Sequence, residues 1–292
     1  MIAVVEGKNI NILNVYYETV KILRFDYEIS SLSFNRDCSK IAFQLYNNDN
    51  FYQLKIYNIV TDEYEFDVMC SDFIEITCFS LDSSKILSIC DQGVILIFDT
   101  LTKEILSRIE TDKYATSFMF NPDGSKIFIS LECGDIIVID STTCEEIITI
   151  KNDRGSLISF NSDGTQFLVK SSSKSIKIFD SNTGEVLNDV QFENEIYNCC
   201  FNNDSSLIIT SDLKYIYIID SVTFETLGSI RSDGNIDDHV LSSDGKYILY
   251  FSIGSNRLII CDIVTFEVVR VINFETSIEH LFVGEEEFGS YI

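Results

Sequence analysis

Residues 120–140 read FNPDGSKIFISLECGDIIVID. An apolar anchor, Phe120, leads into an Asp-Gly turn at Asp123-Gly124. A β-rich run follows, then a Gly-centred break at Gly134, then a second β-rich run that ends on Asp140. The rest of the chain is largely this unit rewritten. The turn aspartate recurs as Asp37, Asp82, Asp123, Asp163, Asp204 and Asp244, with Glu285 in the seventh place. The spacing is about 40 residues, a period that marks repeat architectures. Three residues before each marker stands an apolar anchor: Phe34, Phe79, Phe120, Phe160, Phe201, Leu241 and Phe282.

A second marker gives the same count. Apolar residues followed by Asp or Asn end a strand at Asn14, Asn58, Asp99, Asp140, Asp180, Asp220 and Asp262. In the last six a Thr follows three residues on, at Thr61, Thr102, Thr143, Thr183, Thr223 and Thr265, and a Glu two residues after that. The Asp or Asn side chain can accept backbone N–H groups of the turn, and the Thr hydroxyl can close it. Each unit therefore holds four short strands. In the third full unit they are 115–120, 126–131, 135–140 and 145–150. No helical period of useful length interrupts them.

Seven four-stranded units over essentially the whole chain resemble a β-propeller of the WD40 or related YVTN type. The chain begins inside a unit. Residues 1–5, 10–15 and 19–25 align with strands two, three and four, and 277–283 with strand one. The expected fold is all-β: a seven-bladed β-propeller with four antiparallel strands per blade, forming one domain over 1–292. Its last blade is shared by residues 1–25 and 277–292, and either Met1–Val5 or Phe288–Ile292 completes it. The chain departs from the WD40 pattern in having no Trp and no Gly-His dipeptide. The Asp-His-Ser/Thr-Trp network of that family cannot be built here.

Composition narrows the partner class. Asp and Glu number 46 against 21 Lys and Arg, a formal net charge of −25. Such a field repels nucleic acid and anionic membrane, and it suits solubility and basic partners. The nine cysteines are irregularly spaced without a Cys-x-x-Cys, which points to reduced thiols and a cytoplasmic location. The vicinal Cys199 and Cys200 should point to opposite faces of a strand as small fillers. The opening residues carry no signal-peptide pattern.

Chemistry-bearing residues are sparse. The two histidines, His239 and His280, each stand two residues before an anchor, so they are expected at one inner-strand position of adjacent units. Neighbouring imidazoles can hold a metal, but no third ligand repeats at that row. The turn aspartates are explained by turns, and calcium needs several oxygens converging in one loop. No cofactor, metal or catalytic residue is expected.

In the resembled family, one face carries the loops between units and those joining strands two and three, and that face binds partners. By alignment it bears Asp72, Glu75, Asp91, Asp112, Asp153, Glu193, Glu195, Asp212, Asp233 and Asp237. The longest departure from the repeat, the loop 46–53, adds Tyr46, Phe51 and Tyr52. The expected function is a non-enzymatic scaffold for a protein or peptide partner, a basic one by preference. The chain would be a monomer or a subunit of a hetero-complex. The alternatives are a lactonase-like or metal-assisted propeller hydrolase, and a structural subunit of a larger assembly.

Overall fold

The computed structural model of the chain describes residues 1–283 apart from positions 15, 48, 50, 71, 72, 91, 92, 112, 153, 154 and 243; the side chains at 51, 156–158 and 283 lie outside that description. Twenty-eight strands form seven antiparallel sheets of four strands each. Blade I joins His280–Val283 to Ile2–Glu6, Asn9–Leu13 and Thr19–Arg24. Blades II to VII follow in chain order over 28–69, 74–110, 115–150, 156–191, 198–231 and 236–273. The result is the seven-bladed β-propeller that the repeat implied, and residues 2–6 complete the shared blade. The marker proposed at Glu285 and the segment 288–292 lie outside the described residues.

The core shows why the ring closes. Buried apolar side chains fall into seven clusters, each drawn from two neighbouring blades. Blades III and IV share Ile89, Ile97, Phe118 and Ile129, and blades IV and V share Phe128, Val138, Phe160 and Phe167. Side chains alternate along a strand, so each sheet has two apolar faces and needs a neighbour on both sides. In the second strand of blade IV, Ile127 and Ile129 enter one seam and Phe128 the other. Cys199 and Cys200 behave likewise: Cys199 packs in the V–VI seam and Cys200 against the VI–VII seam.

Turn chemistry repeats with the blades. Asp140 Oδ1 accepts the backbone N–H groups of Thr142 and Thr143, both at 2.8 Å. Thr143 Oγ1 accepts from Glu145 N at 3.3 Å. The same pattern holds at Asp99 and Asp180, and Asn58 makes the two bonds from its Asp-like position. Two further repeated elements stand beside the expected ones. The residue after each anchor braces the first turn: Asn121 Oδ1 accepts Lys126 N at 2.8 Å, and Ser80 Oγ accepts Lys85 N at 2.9 Å. In blades III to VI the residue after the aspartate ties the two turns of a blade together. Ser141 Oγ donates to Gly124 O at 2.6 Å, and Ser221 Oγ to Ser205 O at 2.6 Å.

Each outer strand carries one bulge near its start, at Val20, Glu65, Leu106, Ile147, Leu187, Leu227 and Val269. The bulge turns these mostly aliphatic side chains towards solvent; Leu106 is 51% exposed.

One expectation fails by a single residue. Ile2 stands opposite Val283, as Ile127 stands opposite Phe120. Val283 therefore holds the anchor register in blade I, not Phe282. A one-residue slip moves every side chain to the other face. Phe282 packs at the I–II seam, whereas the anchors of blades II and III pack at the seam with the preceding blade. His280 consequently shares a row with Asp238 and not with His239.

Candidate partner-binding face

The upper face of the disc carries the inter-blade loops and the loops joining second to third strands. The inner strands reach it with a bulge near their starts. In blades III, IV and VII the unpaired extra residue is Glu75, Thr116 and Asp237. Glu75 Oε1 accepts the Tyr114 hydroxyl at 3.0 Å, a bond between neighbouring blades.

The described members of the aligned acidic set stand in different surroundings. Glu193 and Glu195 are exposed on the loop between blades V and VI, Asp233 on the loop between VI and VII, and Asp237 at the bulge that opens the first strand of blade VII. Among the described residues none of the four lies within salt-bridge distance of a cation. Asp212 differs. It is 5% exposed. Its carboxylate accepts Lys214 N, Tyr215 N, the Tyr217 hydroxyl and Asn194 Nδ2 at 2.6–2.9 Å. That carboxylate holds its own hairpin together. Asp72, Asp91, Asp112 and Asp153 lie outside the described residues.

The segment expected as a loop over 46–53 is mostly strand. Lys40–Asn47 pairs with Phe51–Asn58, and Tyr46 stands opposite Tyr52. Alternating aromatic and polar residues extend the hairpin because a neighbouring ring covers them. Tyr46 and Tyr52 both meet Phe73 edge-on, with ring centroids 5.1 and 5.9 Å apart. Burial raises the Tyr46 phenol pKa, and the carboxylates of Glu28 and Glu279 add to the shift. Nothing is described of the Phe51 side chain.

Blades VI and VII meet through polar groups of which the sequence reading singled out only His239. Asn198 Nδ2 donates to Asp238 Oδ1 at 2.9 Å and to His239 O at 3.2 Å. Desolvation pushes the Asp238 carboxyl up to about 7, against its bonds from His239 N and Asn198. His239 is fully buried, and neither ring nitrogen has a partner in hydrogen-bond geometry. Burial lowers its pKa to about 4, opposed by the Ile209 carbonyl. His280 sits apart. Desolvation lowers its pKa and the Asp237 carboxylate opposes the shift. Among the described residues no three His, Cys, Asp or Glu side chains converge as metal ligands. Of Asn198, Asp238 and His239, only the histidine stood out in the sequence.

A closed ring of seven four-stranded blades with a loop-bearing face defines a seven-bladed β-propeller. Among solved structures, the chain is similar in fold to the β-propeller domain of Cps50 (Swd1) from Myceliophteria thermophila. The TM-score is 0.75, over 89% of this chain and 90% of that one, at 12% sequence identity. A likeness at that identity is one of fold. No family model matches the chain, and no curated protein matches it by sequence.

Proposed function

We propose that the chain is a non-enzymatic scaffold whose upper face docks a Lys- or Arg-bearing segment of a partner protein. The docking sector comprises the two successive inter-blade loops that flank blade VI, with the bulge that opens the first strand of blade VII. One observation carries the reading: Glu193, Glu195, Asp233 and Asp237 are exposed there with no cation in salt-bridge range among the described residues. Four carboxylates held on rigid blade ends keep their charge in water and gain most from a cationic partner. The −25 charge of the whole chain steers a basic segment towards the disc. The chain shares the fold of the Cps50 (Swd1) β-propeller domain, and loops carried on a rigid scaffold of this kind are where binding residues concentrate. Nine cysteines, none of them in a disulfide, suit a reducing, cytoplasmic setting. The ring of blades acts as one domain in this reading.

A fluorescent peptide of alternating Lys and Gly, followed by anisotropy, tests the sector. Affinity should fall as salt rises from ~50 to ~300 mM, because exposed charges are screened beyond a Debye length of about 8 Å. Neutralising the quartet as Glu193→Gln, Glu195→Gln, Asp233→Asn and Asp237→Asn should abolish most of the binding. Equal affinity in wild type and quadruple variant would remove the sector from the account.

A further inference from the structure

We propose that the outer strand of blade IV is a self-complementary edge through which two copies of this chain pair. The four-stranded sheet of one copy then continues into the sheet of the other. Every blade leaves one unpaired backbone edge on its outer strand, and such edges pair with other chains unless they are guarded. Five of the seven carry a charge near their centres. Lys21 guards blade I, Glu65 and Asp67 blade II, Arg108 blade III, Asp189 blade V and Arg270 blade VII. Pairing two copies about any of these centres sets like charges opposite or diagonal to one another, which is unfavourable. Blade VI also lacks a central charge and stands between Glu225 and Arg231, but its centre is Gly228, which offers no side chain to a seam.

Blade IV is different. Its outer strand Glu146–Ile150 reads EIITI, with no charge between Glu146 and Lys151. Ile147 and Ile148 are 51% and 40% exposed. An antiparallel pair centred on Ile148 sets Ile148 against its twin. It also lays the Glu145-Glu146 end of each strand against the Lys151 end of the other. Charge complementarity at both ends therefore selects a second copy as the occupant. Lys151 now reaches Asp135 at 2.6 Å, yet its side chain is 78% exposed and free to swing to a partner.

The net charge of −25 repels two copies at long range. At physiological salt only charges within about 8 Å of the seam act strongly, and there each Glu145 meets the Lys151 of the other copy. One strand on one strand is a small contact, which places the dimer among weak, transient interfaces. The upper faces stay open in such a pair, so the dimer presents two docking sectors at once.

Sedimentation equilibrium of the full chain, loaded at roughly 100 μM, tests the pairing, since that lies well above a micromolar Kd. The mass should approach twice the 33.3 kDa of one chain. Ile148→Lys places two lysines in contact and should return the mass to that of one chain. Glu145→Lys and Lys151→Glu should each raise the dissociation constant about tenfold, and the double variant should restore it, as a coupled pair requires. These side chains are exposed or half-exposed, and circular dichroism with a urea midpoint confirms that each variant is folded. A wild-type chain that stays at single-chain mass overturns the proposal. So does a dimer that persists in Ile148→Lys, or a double variant as weak as the singles.

Discussion

Ile2 and Val283 lie at opposite ends of the described chain and stand directly opposite one another in the sheet of blade I. Ala3, Val4 and Val5 continue the register with Phe282, Leu281 and His280. Glu279 N adds a bond to Val5 O at 3.0 Å, and Thr276 N donates to the Glu6 carboxylate. Closure of the ring therefore rests on hydrogen bonds between the two ends, not on a covalent turn. Leu281 then carries the clasp into the core at 3% exposure, beside Leu249 and Phe251 of blade VII.

The clasp has a measurable energetic share. Leu281→Ala empties a site lined by two blades, and large-to-small changes of this kind cost about 2–5 kcal/mol. Urea unfolding should show a lower midpoint. A slope reduced along with the midpoint would indicate that blade I unfolds apart from the rest.

Acid and base act in opposite directions at the VI–VII seam. The folded His239 value of about 4 lies below the ordinary 6.5. The unfolded chain binds the extra proton between those values, so the His239 contribution is present above about pH 6.5 and lost as pH falls towards 4. Asp238 is raised from 3.8 to about 7. Its contribution is full below the unfolded value and lost as pH rises through the folded one. Wild-type stability should thus be nearly flat across the window where the two oppose. His239→Leu should leave a protein that weakens steadily from about pH 4.5 to 7, and Asp238→Asn one that weakens as pH falls from about 6.5. Urea midpoints across that range read both. His239→Leu also removes two unpartnered buried nitrogens and should stabilise the fold at neutral pH by about 1 kcal/mol.

Turn aspartates serve their own hairpins. Asp140→Ala orphans the N–H groups of Thr142 and Thr143 and should cost about 1 kcal/mol. Asp140→Asn should cost less, because Asn58 already fills this place in blade II. Thermal midpoints of the two variants separate the effects.

Close approach fixes Gly228. A Cβ there would lie 2.4 Å from the Phe266 ring of the next blade. Gly228→Val should push that ring out and cost about 1–3 kcal/mol, as overpacking does. Phe266→Leu in the same chain should recover part of the loss, read as a partial return of the urea midpoint.

The fold was legible because two independent markers recur together. The anchor-turn pair and the Asp-x-x-Thr-x-Glu turn each mark every full blade, and the strands of blade IV fall within a residue of their expected places. Blade I was harder. Its first and second strands come from different ends of the chain, so no Asp-Gly turn fixes their relative register. The Phe at 282 then imitated an anchor one place early. The same slip paired His280 with His239, which the structure puts in different rows. The bracing Asn121 and Ser141 were legible in principle, as an Asn or Ser after the anchor and a Ser or Thr after the aspartate. The candidate face was less so. A carboxylate spent on its hairpin, such as Asp212, and an exposed one, such as Asp237, look alike in sequence. Only the surrounding backbone donors tell them apart.

Native-state hydrogen exchange of residues 2–6, compared with 126–131 in blade IV, tests the closed ring most directly. If the ends share one sheet, both segments exchange only through global unfolding and show matching protection. Rapid exchange of 2–6 while 126–131 stays protected would mean an open arc of blades, and would contradict the account.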